Sequence, residues 1–342
     1  MFIKVVTLYV GAIIGAGFAS GQEILQFFIN YRHEGLLGVL ITTILFSYCG
    51  GAIMYLATKY KSGSYQELLP HLMGPVAKIM DVISLVMLVG GLGIMMAGSG
   101  AVLHQYMALP INVGILLALT ITIGVICGGV GRVLNANLIL VPIKLLAVVI
   151  IAIIAILNPT VNTVDTAMEV NQTLVASHWL WASILYASYN MIVPLAVLSS
   201  VGKIIEPKIG IVGGLAGGLM LGLVTGLVTL AGLLFYPEIK NYPVPMLYMA
   251  SVAAPILKTF FALLIWLAMI TTAIADAHGF ASRVAPQGGK LYKISGIAIC
   301  IMVLPLTKLD FAQLVQKIYP MFGYGGLILM VSLVIMPLMN RR

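Results

Sequence analysis

Residues 11–23, Gly-Ala-Ile-Ile-Gly-Ala-Gly-Phe-Ala-Ser-Gly-Gln-Glu, lie inside an apolar segment that runs from Val5 to Phe28. Glycines at positions 11, 15, 17 and 21, together with Ser20, lower the helix propensity of this stretch. Backbone groups that lose their helical partners are tolerated at membrane depth only where protein or a water-filled cavity receives them. The stretch therefore predicts a broken membrane helix with a binding site at the bilayer midplane.

Two further features of the stretch refine this prediction. Ser20, followed three residues later by Glu23, has the spacing of a capping box, which predicts that a second half-helix starts near Gly21. Gly17 lacks a side chain, so a solute could approach the backbone closely there.

Two simpler interpretations compete with the broken helix. Residues 1–19 could be a signal peptide with Lys4 as its charged end, but removing them would spoil the charge topology described below. Gly11 and Gly15 could instead form a small-xxx-small packing face. That interpretation leaves the segment from Gly17 to Glu23 unexplained.

The composition is that of a polytopic membrane protein. Of 342 residues, 61% are hydrophobic and 8% are charged, and the mean hydropathy is +1.11. Cys49, Cys127 and Cys300 lie in apolar runs, so they indicate neither a disulfide framework nor a metal site. The 18 Lys and Arg residues outnumber the 10 Asp and Glu residues, yet they are scattered at the ends of apolar segments, which argues against nucleic-acid binding.

An all-α membrane protein of about ten spans is predicted, because each span needs about 20 apolar residues. With the N-terminus in the cytoplasm, twelve Lys and Arg residues fall inside and five outside, so both termini are predicted to be cytoplasmic. The longest external loop, 158–177, contains no Lys or Arg. The predicted spans are 5–29, 36–58, 76–106, 110–130, 133–157, 178–203, 209–235, 255–284, 291–306 and 312–340.

Two connecting segments have open interpretations. Residues 59–74 could hold a short interfacial helix or form a plain solvated loop. Residues 236–255, rich in Pro and Tyr, could be a lid over an outer vestibule or an ordinary connector.

The sixth span carries a second interruption, in which Tyr186-Ala-Ser188-Tyr189-Asn190 precedes Pro194. Asn190 or Ser188 could cap a new half-helix whose first turn tolerates the proline. Interruptions in the first and sixth of ten spans indicate an inverted-repeat transporter, with repeats of about 1–157 and 178–342 in one transmembrane domain. Two unrelated kinks are the alternative.

Three ionisable residues are singled out in the interior of predicted spans, away from the charged span ends: Glu23, Lys144 and Asp276. Because such charges are costly in a bilayer, each needs a reason. Lys144, in the middle of the fifth span, is a candidate proton carrier or a fixed structural cation. Glu23 could cap a helix or meet a cationic solute group, and Asp276 is expected to be hydrated in a cytoplasmic exit path.

Gly11-Ala-Ile-Ile-Gly15-Ala-Gly17-Phe18 resembles the first-span motif of the amino acid, polyamine and organocation transporter superfamily, whose members have the LeuT fold. The longer Gly-Ala-Gly-Phe-Ala-Ser-Gly-Gln-Glu form is most similar to the YkvI-like membrane proteins. The resemblance implies solute binding between the broken first and sixth helices. The substrate-binding residues that the resemblance implies are Ala16, Gly17, Phe18, Ala19, Ser20, Gly21, Tyr186, Ser188, Tyr189 and Asn190. Glu23 is added as a candidate because it could meet a cationic part of the solute, and its nearness to the site departs from the pattern of amino acid carriers.

The resemblance also implies a coupling site. Sodium-coupled relatives bind the ion between the first and eighth helices, here at Gly11, Ile14, Ala268, Thr271 and Thr272. Some proton-coupled relatives put a fifth-helix lysine in that space, and Lys144 resembles that lysine. Proton coupling is therefore favoured, with sodium coupling as the alternative.

Together these features predict a secondary active transporter of a small polar organic solute, an amino acid or an amine, that works by alternating access in a bacterial plasma membrane. A solute receptor on the same fold is an alternative of another class. No catalytic constellation, cofactor or metal site is predicted, and the expected partners are the solute and the lipid bilayer.

Overall fold

In a computed structural model of the protein, residues 1–128, 131–158 and 174–339 are described. All regular elements among them are helices. The first half contains α1 (Phe2–Ile13), α2 (Ala16–Ser20), α3 (Gln22–Phe27), α4 (His33–Lys59), α5 (Tyr65–Met73), α6 (Ala77–Met107), α7 (Ile111–Gly128) and α8 (Gly131–Leu157). The second half contains α9 (Trp179–Asn190), α10 (Ile192–Ser199), α11 (Pro207–Leu234), α12 (Pro245–Ala253), α13 (Pro255–Val284), α14 (Gly289–Met302) and α15 (Phe311–Met339).

Nine helical segments of the described residues are long and apolar enough to cross a membrane. The remaining predicted span is the first, 5–29, and it corresponds to the interrupted run α1 to α3. Within this run, Phe2–Ile13 is an apolar helix that is shorter than a full span. The predicted architecture is thus confirmed. Most of the predicted loop 158–177 lies outside the described residues, and Arg341 and Arg342 at the basic C-terminus lie wholly outside them. The division into two repeats stays a prediction.

Both open connecting segments contain a short helix. In the first, α5 begins with the Ser64 hydroxyl accepting a hydrogen bond from the Glu67 amide at 3.3 Å. The Glu67 carboxylate reaches back to the Gly63 amide at 2.8 Å. In the second, α12 packs against α2, α3, α8 and α13, so this segment covers the interrupted first span.

The broken span is held by a scaffold of closely packed helices. The most extensive pairs are α4 with α11, α6 with α13, and α9 with α15. Where α4 crosses α11, a Cβ added at Gly214 would overlap the backbone carbonyl of Gly50. Two backbones approach this closely only where neither residue has a side chain.

A matched pair of glycine substitutions on α11 tests the importance of this close approach. We expect Gly214→Ala to destabilise the protein by about 1–3 kcal/mol, since a backbone carbonyl cannot yield cheaply. A Cβ at Gly226 would lie 3.5 Å from Val39, an ordinary contact, so Gly226→Ala should change stability by no more than about 0.5 kcal/mol. Melting temperatures in detergent measure both effects, and equal temperatures for the two variants would contradict the assigned packing.

Candidate functional site

The first span is interrupted at Ile14 and Gly15. The Ile14 amide still donates to the Val10 carbonyl at 2.9 Å, but the Gly15 amide turns back to the Ile13 carbonyl at 2.7 Å. The helical ladder therefore stops, and α2 restarts at Ala16. The first amides of a new helix and the last carbonyls of the old one have no partners within the helices.

A second interruption follows at Gly21, whose φ of 82° is a left-handed conformation that favours glycine. The second half-helix, α3, begins at Gln22, as predicted. The predicted capping box is wrong, because no side chain caps α3. The Ser20 hydroxyl instead donates to the Gly17 carbonyl at 2.6 Å and accepts from the Gln22 amide at 3.2 Å.

The carboxylate of Glu23 lies in a cluster with two tyrosines. The Tyr189 hydroxyl donates to Glu23 Oε2 at 2.7 Å, and the Tyr319 hydroxyl is also hydrogen-bonded to this carboxylate. Glu23 is 6% exposed. The cluster joins α3 to α9 and α15, three segments far apart in the sequence.

This cluster also explains Gly17. A Cβ at this position would overlap Glu23 Oε1 and lie 2.7 Å from the Tyr319 hydroxyl. In this structure the space beside Gly17 is therefore filled by the protein's own carboxylate and phenol, and not left for a solute as the sequence suggested.

A cavity of about 700 Å³ begins at the first interruption. It extends toward the end of the bundle where Arg283 forms an ion pair with Asp81 at 2.9 Å. Its wall combines backbone of the break with polar side chains and an apolar lining. The residues that line the cavity include Gly11, Ile14, Gly15, Leu88, Met95, Lys144, Tyr189, Asn190, Ile192, Ala196, Thr272, Asp276, Arg283 and Tyr319.

Lys144 projects from α8 into this cavity. Its side chain is only 2% exposed, and among the described residues the ammonium forms neither a hydrogen bond nor an ion pair. Glu23 and Lys144 are the two charged residues that are buried among the described residues. Unlike Glu23, Lys144 has neither a hydrogen-bond partner nor a counter-charge among the described residues.

The predicted coupling residues lie around the same space. Gly11, Ile14 and Thr272 line the cavity with Lys144. The Thr271 and Thr272 hydroxyls donate to the Ala268 carbonyl at 3.1 and 2.8 Å, so this carbonyl already accepts two hydrogen bonds. The structure thus brings the coupling residues together, and their role stays a prediction.

The sixth span is interrupted less than predicted. Only Met191, with φ −84° and ψ −15°, separates α9 from α10, and no side chain caps α10. Asn190 donates to the Tyr186 carbonyl at 3.0 Å, and the Ser188 hydroxyl donates to the Gly323 carbonyl at 2.7 Å. The prediction that one of these two residues caps a half-helix is wrong, because the chain stays near-helical through Met191.

The predicted substrate-binding residues fall into two groups. Tyr189 and Asn190 line the cavity. The others are buried and do not line it: Ala16, Gly17, Phe18, Ala19, Ser20, Gly21, Glu23, Tyr186 and Ser188. Tyr186, for example, packs among the rings of Phe27, Phe28 and Phe46.

The end of the break opposite the cavity is covered by α12. Met246 and Pro245 of α12 lie against Gly21, where a Cβ would be 2.8 Å from Met246. The side chain of Gln105 fastens the start of α12 by donating to the Val244 carbonyl at 3.0 Å and accepting from the Val244 amide at 2.9 Å. The site is therefore closed on this side.

Sequence reasoning missed Tyr319 and underrated Asp276. Tyr319 is the ninth residue of α15 and is followed by Pro320 and Gly323, an irregularity within an apolar span that could have drawn attention. Asp276 lies one turn after Thr272 on α13, and both line the cavity. Among the described residues its carboxylate has no hydrogen-bond or ion-pair partner.

Two solved structures illustrate the similarity of this fold to known proteins. The inward-facing conformation of Mhp1 gives a TM-score of 0.54 at 14% identity, covering 89% of this chain and 69% of that one. A variant of the manganese transporter of Eremococcus coleocola gives 0.59 at 13% identity, covering 94% and 75%. The likeness shows the LeuT fold.

Sequence relatives narrow this assignment, although no family profile matches the chain. YkvI, an uncharacterised membrane protein of Bacillus subtilis (strain 168), is 27% identical over 328 residues, covering 94% of this chain and 91% of YkvI. The uncharacterised protein YyaD of the same organism is 32% identical over 349 residues, covering 99% of this chain and 98% of YyaD. Because the identity to YyaD extends over nearly the whole of both chains, this chain, an integral membrane protein with the LeuT fold, belongs to the family of YyaD and YkvI.

Proposed function

We propose that the protein is a secondary active transporter that carries a small polar organic solute, an amino acid or an amine, by alternating access. The observation that carries the proposal is the buried Lys144 ammonium, which has no partner among the described residues and faces a cavity at the interrupted first span. A charge at the bilayer centre costs at least about 2.5–3.5 kcal/mol. We infer that a buried charge with no partner among the described residues serves transport.

Coupling to protons fits this geometry better than coupling to sodium. Lys144 shares its cavity with Gly11, Ile14 and Thr272, which belong to the sodium alternative. An ammonium and a sodium ion repel each other strongly in a poorly solvated space. The Ala268 carbonyl is also engaged by two threonine hydroxyls.

Lys144 can alternately hold and release a proton. The charged ammonium is attracted to the carbonyl oxygens at the end of α1, so protonation would draw α1 toward α8. Loss of the proton would release α1 from α8. The balance between the two orientations of the transporter would then follow the protonation of Lys144.

The arrangement of open and closed sides supports an inward-facing state. The cavity extends toward Arg283, which the distribution of basic residues assigns to the cytoplasm. On the other side, α12 covers Gly21, and the Glu23 cluster joins α3 to α9 and α15.

An organic solute is also favoured by the ligand chemistry of the cavity. Asp276 is the one carboxylate among the described residues that line it. Divalent manganese prefers several oxygen or imidazole ligands. We therefore do not propose manganese, which is named for the structural neighbour, as the solute of this protein.

Two substitutions of Lys144 test the coupling. In proteoliposomes supplied with a radiolabelled mixture of the twenty L-amino acids, a pH gradient should drive concentrative uptake by the wild type. Lys144→Met removes the charge and should abolish this uptake. Lys144→Arg keeps a charge that cannot be lost in proteins, so it should also abolish gradient-driven uptake.

The same assay with a sodium gradient and no pH gradient is the control. Sodium-driven uptake that persists in Lys144→Met would support the sodium alternative, in which the ion binds at Gly11, Ile14, Ala268, Thr271 and Thr272. If wild-type protein bound amino acids in a thermal-shift assay but accumulated none under either gradient, the receptor alternative would replace transport.

A second test addresses the closed side of the site. Tyr189→Phe removes one of the two hydroxyls that donate to buried Glu23, so it should cost about 1–3 kcal/mol and lower the melting temperature. Tyr186→Phe is the matched control, because the Tyr186 hydroxyl lies near Thr225 yet forms no hydrogen bond of good geometry with the described residues. Equal losses of stability would show that the Glu23 cluster does not hold the helices together.

A further inference from the structure

Two opposite charges face the same cavity without forming an ion pair. Lys144 comes from α8 and Asp276 from α13, and both line the space at the interrupted first span. The two salt bridges found among the described residues, Lys203 with Glu67 and Arg283 with Asp81, include neither of them. Neither charge therefore has a counter-charge among the described residues in this state.

The other charged groups near this space are already engaged. Glu23 accepts hydrogen bonds from Tyr189 and Tyr319. Arg283, toward the far end of the cavity, is paired with Asp81. An uncompensated charge in a poorly hydrated site is costly, so Lys144 and Asp276 are the groups for which a ligand's charges would bring the largest gain.

We infer that Lys144 and Asp276 form a two-point recognition site for a zwitterion, with the solute's carboxylate on the Lys144 ammonium and its ammonium on the Asp276 carboxylate. The inference rests on the proposed function and deepens it, because it names the groups that recognise the carried solute. It differs from recognition by the amides of the first-span break. Those amides belong to α2, a helix of only five residues whose members are buried and do not line the cavity.

The remaining walls define the rest of the solute. Asn190 uses its amide nitrogen on the Tyr186 carbonyl, which leaves its side-chain oxygen as an acceptor for the solute's ammonium. Leu88, Met95 and Ile192 give the cavity an apolar wall. The favoured solute is thus a zwitterion with a neutral apolar remainder.

This geometry also provides a reason for coupling. The solute's carboxylate binds Lys144 only while the lysine is protonated, so solute and proton occupy the site together. A positive lysine with a neutral zwitterion and a negative Asp276 has no net charge, which lowers the cost of enclosing the loaded site within the protein between its two open states.

The inference is tested by equilibrium binding, which does not require transport. Purified protein is screened by thermal shift against the twenty standard L-amino acids, together with β-alanine, γ-aminobutyrate and 5-aminovalerate, in which the two charges are progressively further apart. Each hit is then compared with its amide, which lacks the carboxylate, and with its deamino acid, which lacks the ammonium. Both analogues should bind at least about tenfold more weakly, because each leaves one of the two cavity charges unpaired.

Charge-removing variants assign each end of the hit. Lys144→Gln should weaken binding of the zwitterion at least about tenfold and leave binding of its amide nearly unchanged. Asp276→Asn should weaken binding of the zwitterion to a similar extent and leave binding of its deamino acid nearly unchanged. Lys208→Gln and Glu34→Gln remove exposed charges of the same signs and should not alter binding.

Three results would overturn the inference: binding of amines or carboxylates alone with no zwitterion, no binding by any member of the panel, or zwitterion binding that both cavity variants leave intact. These results differ from a failure of the proposed transport. A protein that binds zwitterions through both residues but accumulates none in proteoliposomes would keep the recognition site and lose the transporter assignment.

Discussion

A helix at the centre of a bilayer must satisfy its own backbone, and the helical ladder of the first span stops at Gly15, whose amide bonds back to the Ile13 carbonyl. The remaining structure surrounds this exception. Closely packed long helices form a rigid scaffold around it, α12 covers one end, and a cavity of about 700 Å³ lies at the other. The broken backbone is thus placed where protein covers one side of it and water could reach the other.

Two buried charged residues near the break differ in their hydrogen-bond partners. Glu23 is fully supported, because two phenol hydroxyls hold its carboxylate and Gly17 leaves room for it. Lys144 is left without a partner among the described residues. A supported group can hold helices together, whereas an unsupported one is available to a proton or a solute. We therefore propose that Glu23 holds the closed side of the site together and that Lys144 binds the proton or the solute.

The architecture could be predicted from the sequence because each feature is local. A span needs a certain length of apolar residues, and the glycines between positions 11 and 21 weaken one helix regardless of what surrounds it. The positions of Lys144 and Asp276 within spans also follow from their sequence neighbours. These local signals predicted ten spans, the start of α3 after Gly21, and a polar site near the break.

The contacts within the site could not be predicted, since they join residues far apart in the chain. Ser20 and Glu23 have the spacing of a capping box, but the left-handed Gly21 turns the carboxylate toward Tyr189 and Tyr319. Likewise, Asn190 precedes a proline segment as a cap would. The backbone nevertheless stays near-helical through Met191, so the side chain bonds back to Tyr186.

The central claim is that the cavity at the break is one half of a transport path and faces the cytoplasm. It is tested most directly by single cysteines placed in a variant without Cys49, Cys127 and Cys300. Ala196→Cys lies on the cavity wall, and Asn241→Cys lies on the exposed segment before α12. With a membrane-impermeant maleimide, position 196 should label in inverted vesicles and position 241 in right-side-out vesicles. Labelling of position 196 only from the outside, or from neither face, would contradict the account.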